Sequence, residues 1–254
     1  MLKKRIIPVQ LLLNNRLVKS IQFASFRDVG DPVASSKVYN SQFADELIFL
    51  NVARDNKTVE PLKQVLDKVS QVCFMPLAVG GGIRTYEDAE YLIRNGADKV
   101  VLNTACYSNQ DLITKIANTF GTQAVVVCVD VHLNDETNNY ELFSHCGQKK
   151  EICDLLEYLD LCVQSGAGEI LIQSIDHDGK MNGFDIPLIK QAVERVNVPV
   201  IACGGAGNYY HLKEVFLETN VSAVACGSIF NFSDSNLIRA KAFLSNYSLP
   251  FKLV

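Results

Sequence analysis

The stretch DELIFLN at residues 45–51 is followed 123 residues later by a similar stretch, GEILIQS at residues 168–174. Two further pairs repeat at nearly the same spacing: AVGGGI at 78–83 with IACGGAG at 201–207, and ADKVVLNTA at 97–105 with VSAVACGSI at 221–229. The spacing is about half of the 254-residue chain, and a repeat of this kind predicts two copies of one structural unit. We therefore predict one domain over residues 1–254, built of two half-barrels at about 1–122 and 123–254 that are related by a pseudo-twofold axis.

Around these repeats, short apolar runs rich in Val, Ile and Leu alternate with segments of helical periodicity. Apolar runs without a polar face are typical of parallel strands that are covered by crossover helices. Eight strand–helix units in succession predict an α/β fold, the (β/α)8 TIM barrel. The predicted strands lie near 5–13, 46–51, 76–80, 99–103, 124–130, 169–173, 199–203 and 222–226, and the predicted helices near 32–43, 59–72, 85–95, 109–118, 152–165, 185–196, 209–218 and 235–245.

The composition is that of a globular protein with a large core, because 48% of the residues are hydrophobic. The formal net charge of -4 and the isoelectric point near 5.6 argue against nucleic acid or a membrane surface as a partner, although they allow a local basic pocket. No apolar run is long enough for a transmembrane helix. The apolar run near the first residue contains Pro8 and Gln10 and lacks the cleavage site of a signal peptide. We expect a cytoplasmic protein.

The cysteines are scattered through apolar segments and form no CxxC pair, which favours reduced core residues over disulfides or a zinc site. No two histidines have metal-ligand spacing on one helical face, so we predict no metal, and no motif calls for a cofactor. The cysteines are Cys73, Cys106, Cys128, Cys146, Cys153, Cys162, Cys203 and Cys226.

A run of three glycines, Gly80 to Gly82, follows an apolar strand and precedes a predicted helix. Thr85 is a candidate N-cap of that helix, and Asp88 at its third position completes a pattern like a capping box. Glycines at such a turn let backbone N–H groups approach a phosphate, and the helix dipole adds attraction. The alternative is a tight strand-to-helix turn without a ligand, and one motif alone does not decide between the two.

The next strand of the first half ends at Asn103 and Thr104, whose side chains can donate hydrogen bonds to the same anion. The second half repeats this arrangement. Two such cradles facing each other across a barrel mouth predict a ligand with a phosphate at each end. The second-half residues are Gly204, Gly205, Gly227 and Ser228, together with Asp178 and Gly179 of the loop QSIDHDGKMNGFD.

Asp130 is the leading candidate for a general acid or base, because a carboxylate at the C-terminal end of a barrel strand points into the mouth. The alternative for Asp130 is a helix cap or a turn former. Among the histidines, only His177 falls in a predicted site loop. The other three, His132, His145 and His211, are expected at loop or helix surfaces.

Taken together, these residues closely resemble the cyclase subunit family of imidazole glycerol phosphate synthase (HisF), over essentially the whole chain. The matching stretches are KRIIP, DPV, DELIFL, VGGGI, GADKVVLNTA, GTQAVVVCVD, GAGEILIQSIDHDG and PVIACGGAG. The resemblance implies a subunit that receives ammonia through the barrel from a HisH-like glutaminase partner in a heterodimer. It also implies a substrate, the bis-phosphorylated formimino ribonucleotide PRFAR, which is converted to imidazole glycerol phosphate and an aminoimidazole carboxamide ribotide (AICAR).

The resemblance assigns roles position by position. Asp130 matches one of the two catalytic aspartates of the family, and Lys19 matches the basic residue of the first loop. Gly82, Asn103 and Thr104 match one phosphate site, and the second-half residues named above fall in or beside the other. The ring of alternating charges that gates ammonia entry is matched by Arg5, Glu46, Lys99 and Glu169. Without the resemblance, these four residues could equally form a structural salt-bridge ring.

The chain departs from the family where the other catalytic aspartate is expected, because Leu11 occupies that position. Asn51 replaces a strand-end aspartate, and Cys146 replaces the serine ahead of the glycine at 147. Leucine cannot transfer a proton, and loss of a general acid or base costs about 10²- to 10⁴-fold in rate. The departure leaves two functions open. The first is a cyclase in which Asp130 acts alone or with Cys146 or His177. The second is a conduit that supplies ammonia to a sugar amidotransferase making an acetamidino group for a surface polysaccharide such as lipopolysaccharide.

Overall fold

The computed structural model describes residues 3–55 and 57–252. Their strands, in chain order, are β1 (Arg5–Leu13), β2 (Arg16–Ile21), β3 (Ala24–Gly30), β4 (Leu47–Asn51), β5 (Leu77–Gly80), β6 (Lys99–Leu102), β7 (Val125–Asn134), β8 (Asn139–Ser144), β9 (Lys149–Lys150), β10 (Glu169–Ser174), β11 (Val200–Cys203) and β12 (Ala223–Cys226). Eight of them, β1, β4, β5, β6, β7, β10, β11 and β12, pair in parallel in that order around a barrel, and β12 pairs with β1 to close it. The predicted α/β fold, a (β/α)8 TIM barrel, is therefore confirmed.

The helices of the described residues are α1 (Pro32–Ser41), α2 (Glu60–Val69), α3 (Tyr86–Arg94), α4 (Thr104–Ser108), α5 (Asp111–Phe120), α6 (Leu155–Gln164), α7 (Ile186–Arg195), α8 (Tyr209–Thr219), α9 (Ser228–Phe232) and α10 (Leu237–Ser245). Each predicted helix corresponds to one of them. The short helices α4 and α9 were not predicted, because five residues are too few to show helical periodicity. They occupy equivalent places, directly after β6 and directly after β12.

Two groups of antiparallel strands at the mouth of the barrel, β1–β2–β3 and β7–β8–β9, were also not predicted. β1 continues beyond its parallel partners and pairs with β2, where Leu11 lies opposite Val18. In the second half, β7 continues in the same way and pairs with β8, where Asp130 lies opposite Phe143. Leu11 and Asp130 are thus not strand ends, as the apolar runs had suggested, but lie where a barrel strand becomes the first arm of a hairpin.

The interior of the barrel is a separate apolar cluster from the larger core between the strands and the helices. Its residues alternate along each strand with residues that face the helices, as expected for a strand with two buried faces. Several of them are small. The interior cluster contains Ile7, Val9, Ile48, Ala78, Val101, Val126, Cys128, Leu171, Ile201, Ala223 and Ala225.

None of the helices in the described ranges is long and apolar enough to cross a membrane.

The last helix is tied to the start of the barrel by a buried ion pair. The Lys241 Nζ of α10 donates to the Asp45 carboxylate at 2.6 Å and to the carbonyl oxygen of Phe43 at 2.8 Å. The other carboxylate oxygen of Asp45 accepts a hydrogen bond from the Ile6 N–H of β1 at 3.0 Å. The side chains of Lys241 and Asp45 are only 5% and 8% exposed. Because water hardly reaches them, their charged forms are stabilised by each other and by these hydrogen bonds.

We expect Lys241→Met to lower the free energy of unfolding by about 3–5 kcal/mol, because it leaves the Asp45 carboxylate buried without its cation. Urea unfolding followed by circular dichroism measures the loss. The control is the double variant Lys241→Met with Asp45→Asn, which removes both charges and should be less destabilised than the single variant. A single variant that loses less than about 1 kcal/mol would show that water reaches Asp45 and replaces the lysine.

Candidate active site at the barrel mouth

A cavity of about 560 Å³ opens at the C-terminal ends of the barrel strands. This is the end of a TIM barrel at which active sites are found. The cavity is lined by Leu11, Asp130 and all the residues predicted to bind substrate: Lys19, Gly82, Asn103, Thr104, Asp178, Gly179, Gly204, Gly205, Gly227 and Ser228. The structure therefore brings these residues together around one space, and their roles toward a ligand stay a prediction.

The glycines at the cavity wall meet a strict packing requirement. Gly82 has a φ of +94°, and a Cβ there would lie 2.6 Å from the carbonyl oxygen of Thr58. In the second half, Gly205 has a φ of +107°, and a Cβ there would collide with the carbonyl oxygen of Gly183. The tight strand-to-helix turn raised by the sequence is therefore present, and the binding of a phosphate there stays a prediction. The two glycines make a tight turn against the loop of the preceding strand, and they also leave backbone at the cavity surface.

The helix that follows Gly82 begins as predicted. The Thr85 hydroxyl accepts a hydrogen bond from the Asp88 N–H at 3.2 Å, and the Asp88 carboxylate accepts from the Thr85 N–H at 3.1 Å. This is a capping box at the start of α3, and it holds the glycine turn in place.

Asn103 and Thr104 connect the cavity wall to the hairpin of the second half. The Asn103 amide donates to the carbonyl oxygen of Cys128 at 3.0 Å, two residues before Asp130 on β7. The Thr104 hydroxyl accepts from the His145 N–H at 3.1 Å, in the turn after β8. The amide oxygen of Asn103 lies 3.3 Å from the Thr104 hydroxyl, which donates to it.

Asp130 lies inside the cavity with a carboxyl group that is poorly solvated. The residue is 7% exposed, and the Cys128 Sγ donates to its Oδ1 at 3.4 Å. Burial raises the pKa of Asp130 to about 7, although the Cys128 contact and the positive charge of Lys57 act in the opposite direction. A carboxyl group with a pKa near neutrality can both accept and donate a proton at the working pH of most enzymes. The predicted alternatives, a helix cap or a turn, do not apply, because Asp130 lies within β7.

The two halves of the barrel differ in polarity at the layer of Asp130. Asp130 lies beside Gln173 of β10 in the strand register, whereas Leu11 lies beside Leu50 of β4. All four side chains line the cavity. Gln173 and Leu50 occupy equivalent positions of the internal repeat, and neither was predicted to line the site. At this layer of the cavity, the first half therefore presents two leucines where the second half presents a carboxyl group and an amide.

Lys19 reaches the cavity from β2, the second arm of the first hairpin. It is only 6% exposed. Desolvation lowers the pKa of Lys19 to about 8, although the negative charge of Asp178 favours the protonated form. The Asp178 carboxylate accepts from the Ser20 hydroxyl at 2.8 Å, so the hairpin is attached to the loop after β10. Burial raises the pKa of Asp178 above its ordinary value, while Ser20 and Lys19 oppose the shift.

His177 lies in the predicted site loop, which lines the cavity through Asp178 and Gly179, but the His177 side chain does not line it. Its ring nitrogen Nδ1 lies 2.6 Å from the carbonyl oxygen of Gly183 in the same loop. His145 is exposed in the turn between β8 and β9, as expected, and it also lines the cavity.

Asn51 and Cys146, the two other positions at which the sequence predicts a departure from the family, also lie at the cavity. Cys146 lines it, and the Lys57 ammonium donates to the Cys146 Sγ at 2.8 Å. Asn51 lines it too, but its side chain organises the loop after β4. The Asn51 amide donates to the carbonyl oxygen of Thr58 at 2.8 Å and accepts from the Ala53 N–H at 3.0 Å.

The cavity wall is more basic than the protein as a whole. Five basic and three acidic residues line it, although the chain has a formal net charge of -4. Such an excess attracts anionic ligands. Only Lys19 was predicted among the basic residues. Three of the others could have been noticed, because they follow predicted strands within a few residues, but Lys149 lies in the unpredicted hairpin. The basic residues are Lys19, Arg54, Lys57, Arg84 and Lys149, and the acidic ones are Asp130, Glu151 and Asp178.

The opposite end of the barrel is closed by four charged side chains, as the resemblance predicted. The carboxylate of Glu46 accepts from Arg5 at 2.8 Å and from Lys99 at 2.8 Å. The carboxylate of Glu169 lies 2.9 Å from Arg5 and 3.0 Å from Lys99. Although burial alone would lower it, the two carboxylates hold the pKa of Arg5 above its ordinary value. The four residues form a closed ring of alternating sign at the N-terminal ends of their strands, and the contacts alone suit both a gate and a structural ring.

Within residues 3–55 and 57–252, no group of three or more His, Cys, Asp or Glu side chains is arranged to hold a metal ion. All eight cysteines are free thiols, five of them buried.

These observations define a (β/α)8 barrel with a basic cavity at one end, lined by glycine turns from both halves of the chain, and a ring of four alternating charges at the other end. The family model described as histidine biosynthesis protein matches residues 5–236, and the chain belongs to that family. It is 41% identical over 253 residues to the protein named imidazole glycerol phosphate synthase subunit HisF of Caulobacter vibrioides strain NA1000 / CB15N, covering 100% of this chain and 97% of that protein. The protein of the same name from strain ATCC 19089 / CIP 103742 / CB 15 matches with the same identity and coverage.

Proposed function

We propose that this chain is the synthase subunit of a glutamine amidotransferase and a lyase-type cyclase. It takes ammonia from a HisH-like glutaminase partner and reacts it with PRFAR, giving imidazole glycerol phosphate and AICAR. The similarity to proteins named imidazole glycerol phosphate synthase subunit HisF supports this, because it extends over the whole chain. The proposed subunit works as a heterodimer with the glutaminase.

The observation that carries the proposal is the arrangement of three parts along one axis. A charged ring of Arg5, Glu46, Lys99 and Glu169 closes one end. An apolar interior follows, and a basic cavity lies at the other end. Neutral ammonia passes an apolar interior more readily than an ion does. A generic phosphate-binding enzyme would need the cavity, and in it the ring would be a structural element only.

In the cavity, we assign proton transfer to Asp130 and binding of the two phosphates to the two glycine turns. The first phosphate is bound by Gly82, Asn103 and Thr104. The second is bound by Lys19 and the second-half residues: Asp178, Gly179, Gly204, Gly205, Gly227 and Ser228. Support comes from the common cavity and from its excess of basic residues. Isothermal calorimetry with inorganic phosphate tests this assignment, and a cavity that binds no phosphate would contradict it.

We place the glutaminase on the ring end of the barrel, where two phenylalanines are exposed. Phe74, in the loop before β5, is 85% exposed, and Phe43, in the loop before β4, is 50% exposed. The Asn40 side chain accepts a hydrogen bond from the Phe74 N–H at 3.1 Å. This bond holds the loop of Phe74 against the end of α1, near Phe43. Exposed aromatic residues are frequent anchors of protein interfaces.

We expect Phe74→Ser to raise the dissociation constant for a HisH-like glutaminase by about tenfold or more, because a central aromatic anchor contributes at least about 1–2 kcal/mol to binding. Surface plasmon resonance measures the change. The control is Tyr210→Ser, since Tyr210 is 65% exposed on α8 and away from the ring. Equal affinities of the wild type and Phe74→Ser would show that the glutaminase binds another surface.

We expect Lys99→Ala to disturb the passage of ammonia without unfolding the barrel, because Arg5 still contacts both Glu46 and Glu169. The glutamine-dependent rate of the complex should fall, while the rate with a saturating ammonium salt should not change. Ammonia released to solvent per glutamine hydrolysed should rise. If neither the glutamine-dependent rate nor the ammonia released to solvent changes, the ring has a structural role only.

A second candidate function is a conduit that keeps the glutaminase partnership but passes ammonia to a sugar amidotransferase in acetamidino-sugar biosynthesis. The apolar side of the cavity, made by Leu11 and Leu50, favours this candidate, because it removes a proton-transfer group from the proposed reaction centre. The basic residues and both glycine turns favour the cyclase. We therefore retain the cyclase as the first candidate.

Turnover of PRFAR by the purified chain with a saturating ammonium salt, in the absence of glutaminase, distinguishes the two candidates. Loss of substrate absorbance would establish a working cyclase. A folded protein that binds phosphate but does not turn over PRFAR would support the conduit.

A further inference from the structure

A contact between Lys57 and Cys146 joins the two halves of the chain at the cavity. Lys57 lies in the loop after β4, and Cys146 lies in the turn between β8 and β9. The Lys57 ammonium donates to the Cys146 Sγ at 2.8 Å. This distance is short for a contact with sulfur, since the thiols of Cys73 and Cys128 lie 3.8 and 3.4 Å from their oxygen acceptors. A short contact of this kind is typical of a hydrogen bond that is strengthened by charge.

The surroundings of Cys146 favour the thiolate form over the thiol. The carbonyl oxygen of Val52, which can accept the thiol proton, lies 3.9 Å from the Sγ and holds that proton only weakly. The Lys57 ammonium, in contrast, is in direct contact with the sulfur and stabilises a negative charge there. Five basic residues against three acidic ones line the cavity wall, so the wider field acts in the same direction. Reactive cysteines in proteins are partly exposed thiols in basic surroundings of this kind.

Cys153 provides a matched comparison within the same region. It is exposed, whereas Cys146 is partly buried. Cys153 lies in the loop after β9, where partial desolvation and the negative charges of Glu151 and Asp154 raise the pKa of its thiol. If exposure alone governed reactivity, Cys153 would react faster. If the neighbouring charge governs it, Cys146 reacts faster.

We infer that Cys146 and Lys57 form a redox modification site, at which hydrogen peroxide oxidises the Cys146 thiolate to a sulfenic acid. The site combines a partly exposed sulfur, an ammonium group in contact with it and a cavity of about 560 Å³ that admits a small neutral oxidant. Cys203 is also partly exposed, but burial of its thiol raises the pKa of Cys203 to about 12. The inference goes beyond the proposed function and does not depend on it, because the reaction needs neither phosphate nor PRFAR.

The oxidation step is balanced by the two residues and the peroxide. The thiolate sulfur attacks one oxygen atom of hydrogen peroxide, so that an S–O bond forms and the O–O bond breaks. The sulfur gives up two electrons, which reduce the peroxide. The leaving hydroxide takes a proton from the Lys57 ammonium and becomes water, and the neutral amine regains a proton from solvent. A sulfenic acid is reduced back by thiols, so the modification is reversible.

The test is exposure of the reduced full chain to hydrogen peroxide in the presence of dimedone, which traps sulfenic acids, followed by peptide mapping with mass spectrometry. We expect the adduct to form at Cys146 about tenfold faster than at Cys153, or more, because a neighbouring ammonium increases the thiolate fraction. Lys57→Met should lower the rate at Cys146 by a similar factor and leave the rate at Cys153 unchanged. Lys57→Arg, which keeps the positive charge, should retain most of the rate at Cys146.

Three results would overturn the inference. The first is labelling of Cys153 that is as fast as labelling of Cys146, because exposure would then govern reactivity. The second is the absence of any oxidised form of Cys146 after treatment with peroxide. The third is an unchanged rate at Cys146 in a folded Lys57→Met variant, which would show that the ammonium does not activate the sulfur. The comparison of Cys146 with Cys153 uses the wild type alone, so it decides the matter even if a variant fails to fold.

Discussion

The Asp130→Asn variant is expected to lower ammonia-dependent turnover of PRFAR by about 10²- to 10⁴-fold, the contribution typical of one general acid or base. Asparagine keeps the size and most hydrogen bonds of the side chain, so the loss would come from proton transfer. Asp130 is the predicted acid–base residue, and Leu11 offers no second carboxylate on the opposite side of the cavity. Steady-state kinetics with a saturating ammonium salt measures the effect.

The same substitution is expected to stabilise the fold above neutral pH. The pKa of Asp130 is about 7 in the folded protein and 3.8 as the ordinary value. Between these two values the folded state keeps a proton that the unfolded state has lost, so stability falls as the pH rises from about 4 to about 7. At about pH 8 the buried carboxylate costs on the order of 4 kcal/mol, which asparagine does not incur. Below about pH 4 the two proteins should be equally stable.

Asp28→Asn is the control for Asp130→Asn, because Asp28 is an exposed carboxylate paired with Arg16. It should change neither turnover nor the pH dependence of unfolding by a comparable amount. Full activity of Asp130→Asn would assign proton transfer to another group. A variant that is no more stable than the wild type at about pH 8 would mean that the Asp130 carboxylate is well solvated.

The Leu11→Asp variant is expected to raise turnover by a similar factor, about 10² to 10⁴. Leu11 lines the cavity in the strand register next to Leu50, across the barrel from the Asp130 and Gln173 pair. A carboxylate at position 11 would place a proton-transfer group on each side of the substrate. The Leu11 side chain is partly exposed to the cavity, so a charge there can be solvated without breaking the core.

Leu11→Asn separates proton transfer from polarity, because it introduces a polar side chain of the same size that cannot ionise. It should leave turnover near that of the wild type. An increase with both variants would show that polarity alone was missing. No increase with Leu11→Asp, in a folded protein that still binds phosphate, would mean that the apolar side excludes PRFAR and would favour the conduit.

The barrel could be predicted from local patterns. Apolar strands and amphipathic helices are encoded in consecutive residues, and their alternation gives the eight strand–helix units. The repeat of DELIFLN as GEILIQS predicts two similar halves. The capping box of Thr85 and Asp88 is equally local, since its two hydrogen bonds join residues three apart. The hairpins were missed for a related reason. The segments of β2, β3, β8 and β9 mix polar and apolar residues. β2 pairs with β1 and β8 pairs with β7, while β3 and β9 pair with β2 and β8.

Candidate residues at the ends of apolar strands could also be predicted, because parallel strands in a closed barrel bring their ends to one mouth. The loop of His177 was predicted correctly, but the sequence could not show that its ring contacts Gly183 within the loop instead of lining the cavity. That Leu50 and Gln173 line the cavity could not be predicted from their apolar or polar character alone. Whether a strand residue faces the interior or the helices depends on the register with its neighbours.

The sequence by itself determined the barrel, its two similar halves and the presence of a leucine where a proton-transfer group was expected. Only the tertiary structure decided the chemical character of the cavity. It placed Leu11 beside Leu50, enclosed Lys19 next to Gly227, and gathered basic residues from separate loops. The physical reason is that solvation and charge depend on distance in space. The pKa of Asp130 or Lys19 is shifted by groups that closure of the barrel brings together from far along the chain.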